Sequence, residues 1–283
     1  MWYDRAVMLS RRTVLVAAAA ALLSSCGSTD PNRSVTGEET DPEAAAPSST
    51  VAESSSSVAP SASTAATAPS TAATTTTTAW TPGQPARYVK YGSRTGDTVA
   101  LTFHAAGDTN RATRLLDVLA RSGTRATMFG IGQWMAANPR LVQRMMADGH
   151  EIANHTWSHP ETSAMTAAAL ESEISRCAEV IRTATGSIGK WFRPSAIEVP
   201  TPAILAAAGK VGYPVCVGYD VDSVDFRDPG TAAVVANTVA GLQAGAIVSL
   251  HFDHENTIEA LPAILDAARQ RSLRPVTLTG LLG

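Results

Sequence analysis

Asp148-Gly149-His150-Glu151-Ile152-Ala153-Asn154-His155-Thr156-Trp157-Ser158-His159 carries three of the chain's six histidines. Imidazole is the commonest metal ligand, and His155 and His159, four residues apart, converge on one ion if the segment is helical or tightly turned. A polar turn with chance histidines is the plain alternative. Against it, Ile152-Ala153 is a short apolar run ending at Asn154-His155. His155 therefore falls where a buried strand meets solvent, the usual place for a site in an α/β domain. No histidine occurs before residue 104.

Outward from this stretch, short apolar runs alternate with helical periodicity from about Tyr88 to the C-terminus. The spacing predicts strands at Thr98 to Phe103, Ala126 to Ile131, Glu151 to His155, Lys190 to Pro194, Tyr213 to Val221, Ala246 to His251 and Arg274 to Thr279. Helices are expected at Arg111 to Ala120, Pro139 to Ala147, Thr166 to Thr183, Thr201 to Ala208, Thr231 to Leu242 and Thr257 to Arg271. Asn138 caps the second of these, with Pro139 in its first turn, and Gly186 stops the third. Strands separated by helices imply a parallel sheet with crossover helices. Periodicity establishes α/β and nothing finer.

Each candidate for chemistry lies at the C-terminal end of an expected strand, the face where barrel enzymes place their sites. His104 ends the first strand, His155 the third and His251 the sixth. Arg193 ends the fourth, and Asp222 and Asp225 follow the fifth. Structural polar residues would not favour one end of every strand.

From Ala126-Thr127-Met128-Phe129 through Gln133-Trp134, Asn138-Pro139 and Asp148-Gly149-His150-Glu151-Ile152 to His155-Thr156-Trp157-Ser158-His159, the sequence resembles the polysaccharide deacetylase family, also known as the NodB-homology domain or carbohydrate esterase family 4. The resemblance spans roughly residues 95 to 283. It implies a distorted, partly open (β/α)7 to (β/α)8 barrel. The roughly 195 residues from Tyr88 onward suit that, being short of the ~250 of a full (β/α)8 barrel.

The family's first motif, Thr-Phe-Asp-Asp-Gly, supplies a general base and then a metal ligand. Here it reads Thr102-Phe103-His104-Ala105-Ala106-Gly107-Asp108. His104 stands at the base position, and Ala105, at the ligand position, cannot bind metal. Asp108 is the nearest carboxylate that could swing back. The resemblance thus implies a divalent ion, zinc first with cobalt or nickel as alternatives, on Asp108, His155 and His159, with His104 as base. Exchanged roles, with His104 on the ion and Asp108 as base, are the alternative, as is a site without metal.

The third motif, Arg-x-Pro-Tyr-Gly, becomes Arg193-Pro194-Ser195-Ala196-Ile197. Arg193 is retained as an orienting charge, and a backbone N–H of Ala196 can still serve an oxyanion, a role that needs no side chain. In Asp222-Ser223-Val224-Asp225-Phe226, Asp225 would orient His251, and Phe226 replaces the Trp that walls the acetyl pocket. In Ser249-Leu250-His251, the resemblance implies that His251 keeps the general-acid role and that Ser249 makes the methyl pocket more polar. His150 and the His254-Glu255 turn are expected outside the site.

Residues 1–26 read as an export signal. Arg11-Arg12 precede an apolar run from Val14 to Leu23, too short for the ~30 Å bilayer core, which takes about 20 residues. Leu23-Ser24-Ser25-Cys26 resembles a lipobox with Cys26 as the lipidated residue, and Ser10-Arg11-Arg12 a twin-arginine signal. Residues 27–83 are rich in Ser, Thr, Ala and Pro, with almost no large apolar side chains, and are expected to form a disordered tether averaging roughly 40 Å end to end. Residues 84–283 are the expected catalytic domain. Of the remaining cysteines, Cys177 and Cys216, two buried free thiols are expected rather than a disulfide.

A formal net charge of -3 argues against nucleic-acid binding. The expectation is a lipid-anchored, exported, metal-dependent hydrolase, monomeric, that removes acetyl groups from a peptidoglycan-like or chitin-like polysaccharide. Its rivals are a carbohydrate-binding wall protein without turnover and a hydrolase of other acyl amides or esters, which Ser249 and Phe226 would admit.

Overall fold

The computed structural model describes residues 80–283; the expected signal, Cys26 and the tether up to residue 79 lie outside the described residues. Along the chain run β1 (Arg87–Val89), β2 (Thr98–Ala105), α1 (Thr109–Ser122), β3 (Thr127–Gly130), α2 (Gly132–Ala137), α3 (Pro139–Ala147), β4 (Glu151–Asn154), α4 (Ala167–Thr185), β5 (Trp191–Phe192), α5 (Pro202–Val211), β6 (Val215–Val217), β7 (Val221–Asp222), α6 (Thr231–Gly241), β8 (Ile247–His251), α7 (Glu255–Gln270), β9 (Arg274–Val276) and α8 (Leu278–Leu282).

Every strand pairing is parallel, in the order β1-β6-β5-β4-β3-β2-β8-β7, with β9 beside the start of β2. The sheet curls into an open half-barrel, with β1 and β7 at its free edges. The central strand β2 is Thr-Val-Ala-Leu-Thr-Phe-His-Ala, buried from Val99 through Phe103, as a strand covered on both faces must be. The helices supply the cover. In α1, Ala112, Leu115, Leu116 and Leu119 are fully buried at helical spacing. In α4, Leu170, Ile174, Cys177, Ala178 and Ile181 form the same stripe. Cys177 and Cys216 are both buried free thiols.

Four elements depart from the sequence expectation. β1 and α2 are too short to leave a period. The strand expected over Tyr213 to Val221 is two, broken after Val217: a side chain at Gly218 would collide with the Tyr88 ring, and the Gly218 carbonyl turns to Arg193. The last expected strand stops at Val276, where Thr277 caps α8 by accepting from the Gly280 N–H. That helix buries Leu278 beneath the sheet.

Residues 83–86 lie against α5, with Gly83 N donating to Gly209 O and Ala86 N to Leu205 O. A Cβ at Gly209 would stand 1.8 Å from the Gln84 carbonyl oxygen. Gly209→Ala gains about 1 kcal/mol of helix propensity, but it clashes with backbone that cannot rotate away. The expected net outcome is a loss of ~1–3 kcal/mol in urea unfolding, with earlier proteolytic cleavage between Trp80 and Ala86.

Candidate active site

Arg193 leaves the end of β5 and turns its guanidinium into the barrel, where it is 2% exposed. Nε donates to the Val217 carbonyl at 3.1 Å and Nη2 to that of Gly218 at 3.0 Å. The guanidinium lies 4.1 Å over the Phe129 ring, a favourable place for a cation. Among the described residues it has no carboxylate partner, and burial lowers its pKa to about 9, which leaves it charged at neutral pH. Its Nη1 lies 3.1 Å from His104 Nε2.

That contact orders the rest. A guanidinium only donates, so His104 Nε2 accepts and the ring carries its proton on Nδ1. Nδ1 in turn lies 2.8 Å from His251 Nε2, across the His104–His251 register pair of β2 and β8. His251 Nε2 therefore accepts, and its Nδ1–H donates to Asp225 Oδ1 at 2.7 Å. The fully buried Asp225 also accepts from the His251 backbone N–H at 2.7 Å and from Thr257 Oγ1 at 2.6 Å. Burial pushes its pKa up, but the bonds from His251 and Thr257 outweigh that and hold it below the usual carboxylate value. Val224, just before Asp225, has φ 57°, strained for a β-branched residue. The turn is fastened by Val224 N to Asp222 Oδ1 at 2.9 Å and by Ser223 Oγ to the Ser249 carbonyl at 2.8 Å.

His155 follows β4 and donates from Nδ1 to the Arg193 carbonyl at 2.9 Å. Its Nε2 is buried and has no hydrogen-bond partner among the described residues. The ring stacks on His104, with centroids 4.3 Å apart, and stands 5.0 Å from that of the more exposed His159. Thr156 and His159 both have positive φ, 66° and 60°, which makes the histidine loop a tight turn rather than a helix. Ser195 binds this turn to the neighbouring loop: its Oγ accepts from Thr156 Oγ1 and donates to the Pro160 carbonyl, and its own carbonyl accepts from Thr162 Oγ1. The rings open on one cleft of about 340 Å³, whose further walls include Ala196, Glu198, Tyr219, Asp222, Phe226 and Ser249.

Asp108 is not in this cleft, which corrects its expected place as third metal ligand. Its Oδ1 caps α1, accepting from Asn110 N at 3.0 Å and Arg111 N at 2.9 Å. The loop is held outward by Trp134 Nε1 on the Gly107 carbonyl and by Asp108 N on Asp253 Oδ1. Turning the side chain back would break both capping bonds. His104, the expected base, stands in the cleft with Nε2 accepting from Arg193 and Nδ1 donating to His251. The same engagement leaves it no lone pair for an ion.

The fit of a divalent ion follows from these donors. His155 Nε2 is suited to one and His159 stands beside it, but Ala105 offers a methyl group. Among the described residues no group of three His, Cys, Asp or Glu side chains is placed to hold an ion, whereas zinc sites use three or four protein ligands. The residues do not complete a metal site.

His150 precedes β4, at the far end of the sheet from the cleft, and accepts from Ala126 N. His254 pairs with Asp228 at 2.9 Å. Sequence reasoning missed Ser195, Thr257, Tyr219 and Glu198. Only Ser195, next to Arg193-Pro194, carried a signal, as a polar residue inside a recognised motif.

Burial holds the imidazoles of His104 and His155 well below their usual pKa. In the unfolded chain they protonate near 6.5, so at lower pH the unfolded state binds more protons. Stability is therefore expected to fall as pH drops below about 6.5, at up to about 1.4 kcal/mol per pH unit for each ring. Urea unfolding from about pH 7 to about pH 5 checks the slope, which His104→Gln should make shallower.

A family model described as polysaccharide deacetylase matches residues 91–216. A chitooligosaccharide deacetylase from a Bradyrhizobium species is 31% identical over 196 residues, covering 64% of this chain and 89% of that protein. The peptidoglycan-N-acetylglucosamine deacetylase PgdA of Listeria monocytogenes is 27% identical over 192 residues, and the match spans 68% of this chain and 40% of PgdA. Among solved structures, a family 4 carbohydrate esterase from Streptomyces lividans in complex with acetate superposes with TM-score 0.59 at 34% identity, over 63% of this chain and 91% of that one. With parallel half-barrel, strand-end histidines and these relatives in agreement, the chain belongs to the polysaccharide deacetylase family.

Proposed function

We propose that this chain is a hydrolase that removes N-acyl groups from an amino-sugar polysaccharide of the cell wall. The observation that carries the reading is the Asp225–His251 pair lining the same cleft as His155, whose Nε2 has no hydrogen-bond partner among the described residues. An imidazole backed by a buried carboxylate takes a proton at its far nitrogen and returns it. In this reading His251 Nε2 takes the proton of an attacking water and delivers it to the leaving amine. Asp225 steadies the imidazolium between the two steps. His155 Nε2 accepts the water's other hydrogen and fixes its direction. The Ala196 N–H, on the cleft wall, serves the developing oxyanion. At rest His104 covers His251 Nε2, so substrate must displace that contact.

The family resemblance implies zinc, but this chain provides at most two imidazoles for it, and no step above uses an ion. Lipid on Cys26 and the tether would hold the domain outside the membrane, within reach of the wall. Among the described residues no helix is long and apolar enough to cross a membrane. Relatives named for chitooligosaccharide and peptidoglycan deacetylation support an amino-sugar polymer as substrate. The covered lone pair of His251 favours one second reading, a wall protein that holds glycan without turnover.

Acetate release from chitin oligomers and peptidoglycan fragments separates the two. The purified protein is expected to release acetate, and His251→Ala to lower the rate by about 10²–10⁴-fold with glycan binding retained. Binding without any acetate release from the wild type establishes the second reading instead. After dialysis against zinc, elemental analysis is expected to find well under one ion per chain; one tightly held ion would restore the metal-dependent mechanism.

A further inference from the structure

The cleft floor carries a polar group with no hydrogen-bond partner among the described residues. Ser249 lies on β8 two residues before His251, on the same face and about 7 Å deeper along the strand. It lines the cleft and is 1% exposed. Its backbone carbonyl accepts from Ser223, but its Oγ bonds to no other described residue. In register beside it on β7 stands Asp222, also in the cleft wall, with Oδ1 accepting from the Val224 N–H and Oδ2 bonded to no other described residue. Thr102, the register partner on β2, spends its hydroxyl on the Val248 carbonyl. Beneath the histidine layer, therefore, one hydroxyl and one carboxylate oxygen await a ligand.

We propose that Ser249 and Asp222 make this cleft selective for a hydroxylated acyl group, a glycolyl in place of an acetyl, on the amino sugar. The inference rests on the hydrolase reading for its reaction but not for its binding geometry. The polymer runs across the open rim, so only the substituent beyond the scissile C–N bond reaches the depth of Ser249. A glycolyl hydroxyl there donates to Asp222 Oδ2 and accepts from Ser249 Oγ. An acetyl methyl satisfies neither, and burying two unpaired polar groups against it is unfavourable. Sites built to bond a substrate hydroxyl discriminate strongly against the analogue that lacks it. In the reaction, water oxygen adds to the acyl carbon, the C–N bond breaks, the nitrogen takes the proton, and glycolate leaves.

Two measurements test this. In solution, glycolate and acetate are titrated against the purified protein by NMR, and turnover is compared on matched N-glycolyl and N-acetyl glucosamine oligomers. The wild type is expected to favour the glycolyl form by about tenfold in both. Ser249→Ala should bring the ratio close to one, mainly by weakening the glycolyl member. A wild-type ratio near one, or a ratio that Ser249→Ala leaves unchanged, overturns the proposal while acyl release keeps the hydrolase reading. Selective glycolate binding without release from either oligomer upholds the specificity and removes the hydrolase.

Discussion

A buried guanidinium that can only donate fixes the protonation of the whole cleft. Among the described residues Arg193 has no carboxylate to neutralise it, and its charge is carried by two backbone carbonyls, the Phe129 ring and one imidazole nitrogen. Because that nitrogen must accept, the tautomers of His104 and then His251 follow without freedom until the chain of bonds ends on Asp225. Two neutral rings and one carboxylate are thus held in a single pattern by a residue that touches only the first of them.

The same constraint separates the histidines by role. His104 has both nitrogens engaged, which makes it a spacer between cation and dyad. His155 shares the stack, yet its Nδ1 is anchored to the Arg193 carbonyl and its Nε2 is left bare. His104 and Ala105 bring no negative charge to Arg193, whose guanidinium is met by hydrogen bonding in place of ion pairing. Strain at Val224, Thr156 and His159 lies on the turns that carry Asp225 and the histidine pair. Backbone strain of this kind persists where surrounding bonds over-determine it, as the Ser195 and Ser223 bonds do here.

The cleft is layered by strand register. His104 and His251 form one layer, with Thr102, Ser249 and Asp222 beneath it. Parallel pairing puts register partners on one face, so a single change on one strand alters the chemistry of a whole layer. A serine two residues before the histidine makes the lower layer polar. Phe226, 5.6 Å from the His251 ring, supplies the apolar wall beside it.

Much of this was legible in the chain itself. The Leu115, Leu116 and Leu119 stripe and the apolar runs ending at His104, His155 and His251 established an α/β chain with its candidate residues at strand ends, because hydrophobic periodicity is a local property of sequence. The motif around Asp222 and Asp225 likewise placed a carboxylate by His251. The bend after β2 was not legible. Asp108 is an acidic residue near the histidines in sequence, and equally a good cap for α1; capping won, since two backbone N–H groups need an acceptor and Trp134 and Asp253 hold the loop outward. Nor could sequence assign the proton on His104, which depends on an Arg193 nitrogen 89 residues away. Residue types and strand ends come from the chain alone, while which lone pairs stay free is decided by contacts that exist only once the sheet has curled.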